Sequence, residues 1–98
     1  MYSTNELLSK VLPLLANYPV RMAAIFGSYA RNEQNADSDL DILIDFSEPI
    51  GLGYGSLHLD LQEAVPVAVG LLTVSGLNEQ PYSFRESVLR DIEVFYEK

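Results

Sequence analysis

Apolar residues recur along this chain at two different spacings, and the alternation between them predicts its elements. In "STNELLSKVLPLLANYP", Leu7, Leu8, Val11, Leu12 and Leu15 fall at helical intervals behind Ser3 and Glu6, which stand three apart as in a capping box. This predicts an amphipathic N-terminal helix, loosened or kinked at Pro13 and ended by Tyr18-Pro19. "VRMAAIF", residues 20–26, is too short for a helix and reads as a buried strand closed by Gly27. "SYAR" reads as one helical turn, ended by Asn32 in the left-handed conformation, and residues 32–38 as polar loop. "DLDILIDF", residues 39–46, reads as a second strand.

Gly51, Gly53 and Gly55 in "PIGLGYGS" predict a pliable connection; no Gly-Lys-Ser/Thr follows, so it is not a phosphate loop. "SLHLDLQEAV" fits either period, and a helix capped by Ser56 with Leu57, Leu61 and Val65 inward is preferred. "PVAVGLLTV", residues 66–74, predicts a third strand buried on both faces. Ser83 and Glu86 repeat the capping-box spacing, and Phe84, Val88, Ile92 and Phe95 form a helical stripe predicting a helix to the C-terminus. The expected order is helix, strand, strand, helix, strand, helix: an α/β (α+β) fold with a small mixed sheet and flanking helices, as one domain over residues 1–98.

Composition narrows the partners. Fourteen acidic against six basic side chains give a formal net charge of −8, so counterion release cannot drive binding to nucleic acid, and no direct nucleic-acid contact is expected. Cationic, metal-bound or apolar partners fit better. The absence of cysteine excludes disulfides and thiolate metal sites. No basic-then-apolar leader opens the chain and no long apolar run occurs, so neither a signal peptide nor a membrane span is expected, and the default location is cytoplasmic.

The chemistry concentrates in "FGSYARNEQNADSDLDILIDF", residues 26–46. Residues two apart in a strand share a face, so Asp39 and Asp41 would present carboxylates from Cα atoms roughly 7 Å apart. Hard divalent cations such as Mg²⁺ take few carboxylates and leave other positions to water or substrate phosphates, so such a pair suits a metal-nucleotide site. Gly27 and Ser28 end the preceding strand, where a missing Cβ and free backbone N–H groups admit a phosphate. Asp37, Asp39, Asp41 and Glu48 also match positions 1, 3, 5 and 12 of a calcium loop, but Ile42 occupies position 6, which requires glycine.

Gly-Ser, then Ala-Arg, then Ser-Asp-x-Asp resembles the signature of the polymerase-β-type nucleotidyltransferases, and most resembles their minimal members, the MNT antitoxins paired with HEPN-domain toxins. The resemblance implies the polymerase-β-like nucleotidyltransferase fold and transfer of AMP from Mg²⁺-bound ATP to a hydroxyl, a tyrosine in particular, of a HEPN-type toxin partner. By position it implies Gly27, Ser28, Arg31 and Ser38 as nucleotide-binding residues. It implies Asp39 and Asp41 as catalytic carboxylates and metal ligands. Two departures stand out. Asn32 replaces the family's glycine after the arginine, and Gly70 in "AVGLLT" takes the place of an expected third carboxylate.

Alternatives therefore stay open at this stage. One is a catalytically impaired binding module that neutralises its partner by contact, with acidic charge masking a basic site. Another is a substrate-recognition or regulatory subunit of a larger transferase in which a second chain supplies the missing acid, and either reading admits a homo- or hetero-oligomer. Arg31 equally suits a structural partner for an aspartate, Ser38 a hydrogen bond within its own loop, and His58 a surface or satisfied interior role.

Overall fold

The computed structural model describes residues 2–98. Helix α1 spans Thr4–Leu15, strand β1 Val20–Phe26, β2 Leu40–Phe46, helix α2 Gly53–Ala64, β3 Val69–Thr73, helices α3 Val74–Asn78 and α4 Tyr82–Asp91, and strand β4 Glu93–Glu97. The strands form a four-stranded mixed sheet in the order β3-β2-β1-β4. β1 runs antiparallel to both β2 and β4, whereas β2 and β3 are parallel, joined by the α2 crossover. The mixed α/β architecture expected from the sequence is present.

The capping box at the start of α1 forms in both directions: Glu6 N donates to Ser3 Oγ at 3.2 Å and Ser3 N donates to Glu6 Oε1 at 3.1 Å. Leu7, Val11 and Leu15 bury one stripe of the helix, which continues through Pro13 to Leu15. On that side of the sheet, α1 and α2 bring Leu7, Val11, Leu15, Leu57 and Leu61 against Ala23, Ile25, Ile42 and Ile44. The opposite side carries a smaller cluster in which Leu43, Leu77 and Val88 pack with Phe26, Leu72 and Ile92 beneath α3 and α4. Period-2 alternation thus splits β2, sending Ile42 and Ile44 one way and Leu43 the other.

Four expectations need correction. The chain does not end on a helix: α4 stops at Asp91, Ile92 turns extended at φ −58° and ψ 138°, and Phe95 lies in β4. Ile92 and Phe95 pack into different clusters on opposite sides of the sheet, so the apparent stripe is the sum of one helical and one strand segment. The Ser83–Glu86 box does not form, because Pro81 occupies the N-cap and no side chain caps the helix. Helix α2 begins ahead of Ser56, with Leu52 at its N-cap, so Gly53 and Gly55 are helical and only Gly51, at φ 55°, makes the turn. Strand β3 is shorter than residues 66–74, because Thr73 leaves it to cap α3, accepting from Gly76 N at 2.9 Å.

The exposed edge of β3 is covered by one face of α2. Tyr54 Oη donates to Leu71 O at 2.7 Å, and His58 Nε2 lies 2.9 Å from Val69 O. A carbonyl can only accept, so that ring nitrogen carries the proton. Gln62 takes both roles, accepting from Val69 N at 2.9 Å and donating to Val67 O at 2.7 Å. Three side chains one helical turn apart thus satisfy backbone groups that a further strand would otherwise pair, and they tie α2 to the β3 edge.

Candidate functional site

The site is assembled at the end of β1, the start of β2 and the middle of β3. In the β1–β2 ladder Phe26 pairs with Asp41, and in the β2–β3 ladder Asp41 pairs with Gly70. Asp41 therefore occupies one of the two inner strands, with a neighbour on each side. Gly27 follows Phe26 with φ 76°, a conformation that side-chain-bearing residues adopt at a cost. A Cβ built on Gly27 would stand 2.6 Å from Asp41 Oδ2, and one built on Gly70 would stand 2.6 Å from Asp41 Oδ1. The two glycines clear the space into which the Asp41 carboxylate extends from either side.

Burial pushes the Asp41 carboxyl above the ordinary aspartate value, the nearby Asp39 charge pushes it the same way, and Arg31 opposes both. Asp39 itself lies one residue ahead of β2 and is exposed, so the pair sits at the strand's mouth, not wholly along it. Two like charges with one partly desolvated is an arrangement relieved by a cation. Their hard oxygen donors fit a divalent ion of the Mg²⁺ type, with remaining positions left to water and phosphate. Among the described residues no group of three His, Cys, Asp or Glu side chains converges. No acid stands at position 70 beside Asp41, and Asp60, on the preceding helix, instead accepts from Tyr18 Oη at 2.6 Å.

The loop after Gly27 is a single closed turn. Arg31 N donates to Gly27 O at 3.1 Å, Asn32 N to Tyr29 O at 3.3 Å, and Glu33 N to Ser28 O at 2.9 Å. The last two bonds are the pair that ends a helix in a Schellman motif, and they place Asn32 at its left-handed position with φ 58°. Asparagine tolerates that region better than other side-chain-bearing residues, so its place in a glycine position is accommodated. Tyr29 is buried beneath the turn, and its carbonyl accepts from Thr4 Oγ1 at 3.2 Å, pinning the loop to α1.

The other sequence-nominated residues divide. Gly27 stands beside Asp41, and Ser28 follows it into the turn, its carbonyl accepting from Glu33 N. Ser38 folds back on its own loop, where its Oγ accepts from Asn35 N at 2.9 Å. Arg31 is engaged by acids: its Nε donates to Glu33 Oε1 at 3.0 Å and its NH1 to Asp91 Oδ2. These bonds, that to Glu33 foremost, hold its guanidinium more firmly protonated than usual. Asp45 pairs with Arg21 at 3.4 Å, away from the cluster. Asp91 is the residue that sequence reasoning missed. It lies 60 positions from Arg31, and no local spacing relates the two.

Comparison with known proteins places the chain in a family. Residues 9–98 match the model described as Polymerase beta, Nucleotidyltransferase. The chain belongs to the polymerase β nucleotidyltransferase family. It is 41% identical over 75 residues to MJ0435 of Methanocaldococcus jannaschii, a candidate protein adenylyltransferase, covering 76% of this chain and 81% of that one. It is 36% identical over 80 residues to the protein adenylyltransferase MntA of Thermococcus cleftensis, covering 81% and 78%. Among solved structures, a candidate minimal nucleotidyltransferase superposes with a TM-score of 0.73 at 31% identity, covering 94% of this chain and 95% of that one. A toxin–antitoxin structure with AMP-PNP shares the fold, with a TM-score of 0.72 at 20% identity over 92% of this chain and 73% of that one.

Proposed function

We propose that this chain is a nucleotidyltransferase of the antitoxin type, transferring AMP from Mg²⁺-ATP to a hydroxyl, a tyrosine in particular, of a HEPN-type toxin. The observation that carries the reading is the Asp41 carboxylate lodged between Gly27 and Gly70 with Asp39 beside it. The names of the adenylyltransferase relatives support the reaction, and the fold shared with toxin–antitoxin chains agrees with the partner.

Asp39 and Asp41 would hold the metal, which when bound supplies neutralising charge at the triphosphate and polarises the α-phosphate. Gly27, without a Cβ, admits the terminal phosphates against the loop backbone, and Ser28 offers a hydroxyl and an N–H to them. Orientation of the α-phosphate in line with the acceptor hydroxyl is then the chain's main contribution. The acceptor oxygen bonds to the α-phosphorus, the bond to the bridging β-phosphate oxygen breaks, and pyrophosphate departs. The hydroxyl proton passes to solvent, since no carboxylate stands at position 70 to receive it.

That last feature favours a second reading, in which the chain binds nucleotide and partner but neutralises the toxin by contact. Transfer from α-labelled ATP with Mg²⁺ to a candidate partner from the neighbouring gene separates the two. Label incorporation that is lost in Asp39→Asn supports the transferase. Incorporation only in Gly70→Asp, with unmodified chain still neutralising its partner, supports the binding module.

A further inference from the structure

We infer that Asp91, at the end of α4, is a positioning residue for the nucleotide site, acting through Arg31. The inference rests on the nucleotide-binding reading above.

Arg31 leaves the turn after Gly27 near enough to the site for its charge to act on Asp41, and its backbone N–H closes that turn on Gly27 O at 3.1 Å. A flexible side chain leaving a surface turn would ordinarily sample many rotamers, and fixing it for a ligand costs conformational entropy. Here two acids hold it from different sides. Glu33, two residues away and 65% exposed, is a surface partner whose contribution in water is small. Asp91 differs: its side chain is only 12% exposed, and it comes from an element 60 positions distant.

The placement of Asp91 is otherwise unfavourable. A carboxylate in the last turn of a helix faces the negative end of the helix dipole. Its partial burial adds a desolvation cost. Arg31 offsets both, and the same contact restrains the guanidinium. Of the five N–H donors on an arginine, Nε and one on NH1 are used by the acids, which leaves the NH2 end for an anion. The fold makes the distance reproducible. Ile92 turns the chain out of α4 into β4, which pairs with β1, the strand that delivers Gly27. Asp91 and the phosphate turn are therefore carried by adjoining strands of one sheet.

The test is the affinity of the full chain for Mg²⁺-ATP by titration calorimetry, with a melting curve for each variant. Asp91→Asn keeps the shape but removes the charge, and roughly tenfold weaker binding is expected, as for a lost charge-assisted hydrogen bond. Asp91→Glu should recover most of the affinity, and Glu33→Gln should change it by about twofold or less. The double variant Arg31→Ala/Asp91→Asn should bind no more weakly than Arg31→Ala, because Asp91 acts only through Arg31. Asp91→Asn binding as tightly as the unmodified chain, whatever its melting temperature, would make the contact a structural tie and overturn the inference. Additive losses in the double variant would overturn it as well. No binding by the unmodified chain would instead refute the nucleotide-site reading on which it rests.

Discussion

Asp41 and Gly70 face each other across the parallel β2–β3 ladder, so close that a single methyl group on Gly70 would come within 2.6 Å of Asp41 Oδ1. The position where the family resemblance expects a third carboxylate is thus the one that bounds the second. An aspartate introduced there requires the Asp41 carboxylate to swing aside, which a flexible side chain can do. For the proposed transfer reaction, we expect Gly70→Asp to raise the rate by about a hundredfold or more, the scale of an added proton acceptor. Initial rates with α-labelled ATP check this. An unchanged rate in an active unmodified chain would mean that position 70 takes no part in proton removal.

The two glycines beside Asp41 should respond differently to alanine. Both additions crowd the same carboxylate, but Gly27 also holds φ 76°, whereas no such strain attaches to Gly70. Gly27→Ala is expected to destabilise the chain by about 1–2 kcal/mol more than Gly70→Ala, the cost of a side chain in the left-handed region. Urea unfolding of the two variants measures the difference. Equal stabilities would show that the crowding of Asp41, and not the backbone, dominates at both positions.

Asp41 makes stability depend on pH and cations in a defined direction. Its folded-state carboxyl is raised above the ordinary aspartate value, so the folded chain holds its proton more tightly than the unfolded one. The stability this confers is complete below the unfolded value of about 3.9 and is lost as pH rises through the folded one. Without divalent ions, Asp41→Asn should therefore melt higher than the unmodified chain at neutral pH, with the gap closing on acidification. Mg²⁺ should raise the melting temperature of the unmodified chain and leave Asp41→Asn nearly unmoved. A variant that melts lower at neutral pH would contradict this account.

The smaller cluster beneath α3 and α4 depends on few side chains. Leu43, 2% exposed, contacts it from the inner strand β2. Leu43→Ala should cost about 2–4 kcal/mol through lost burial and the cavity left behind. Chemical denaturation reads this directly. A cost below about 1 kcal/mol would mean that α3 and α4 collapse onto the gap.

The covering of the β3 edge offers a separate check. Gln62→Ala removes both an acceptor for Val69 N and a donor to Val67 O. About 1–2 kcal/mol should be lost, with faster amide exchange at Val69 in particular. Unaltered exchange at that amide would show that solvent replaces the glutamine without penalty.

Where the sequence was legible, the signal was local. Ser3 and Glu6 made their box because a capping interaction involves only residues three apart. Asn32 took the left-handed position its side chain tolerates, and β1 and β2 fell where short apolar runs end at glycine and polar residues. The last segment misled because Val88, Ile92 and Phe95 keep a helical interval while the chain changes from helix to strand between them. Its β-branched and aromatic run "EVFYE" pairs with β1, and that ladder is invisible to a periodicity count. The Ser83–Glu86 spacing failed for a related reason, since Pro81 already begins the turn with its fixed φ and starts the helix earlier.

The sequence by itself determined the strand that carries Asp41 with Asp39 at its mouth, the glycine turn ahead of it and the absence of an acid at position 70, since each is a matter of residue type and short spacing. Only the tertiary structure decided that Gly27 and Gly70 clear space on opposite sides of one carboxylate, that Tyr54, His58 and Gln62 cover an open edge, and that Arg31 is held by Asp91. The physical reason is common to all three. Ladder register and helix docking set distances between residues remote in the chain, and those distances are fixed by the burial of two hydrophobic clusters at once, not by the preferences of any one segment.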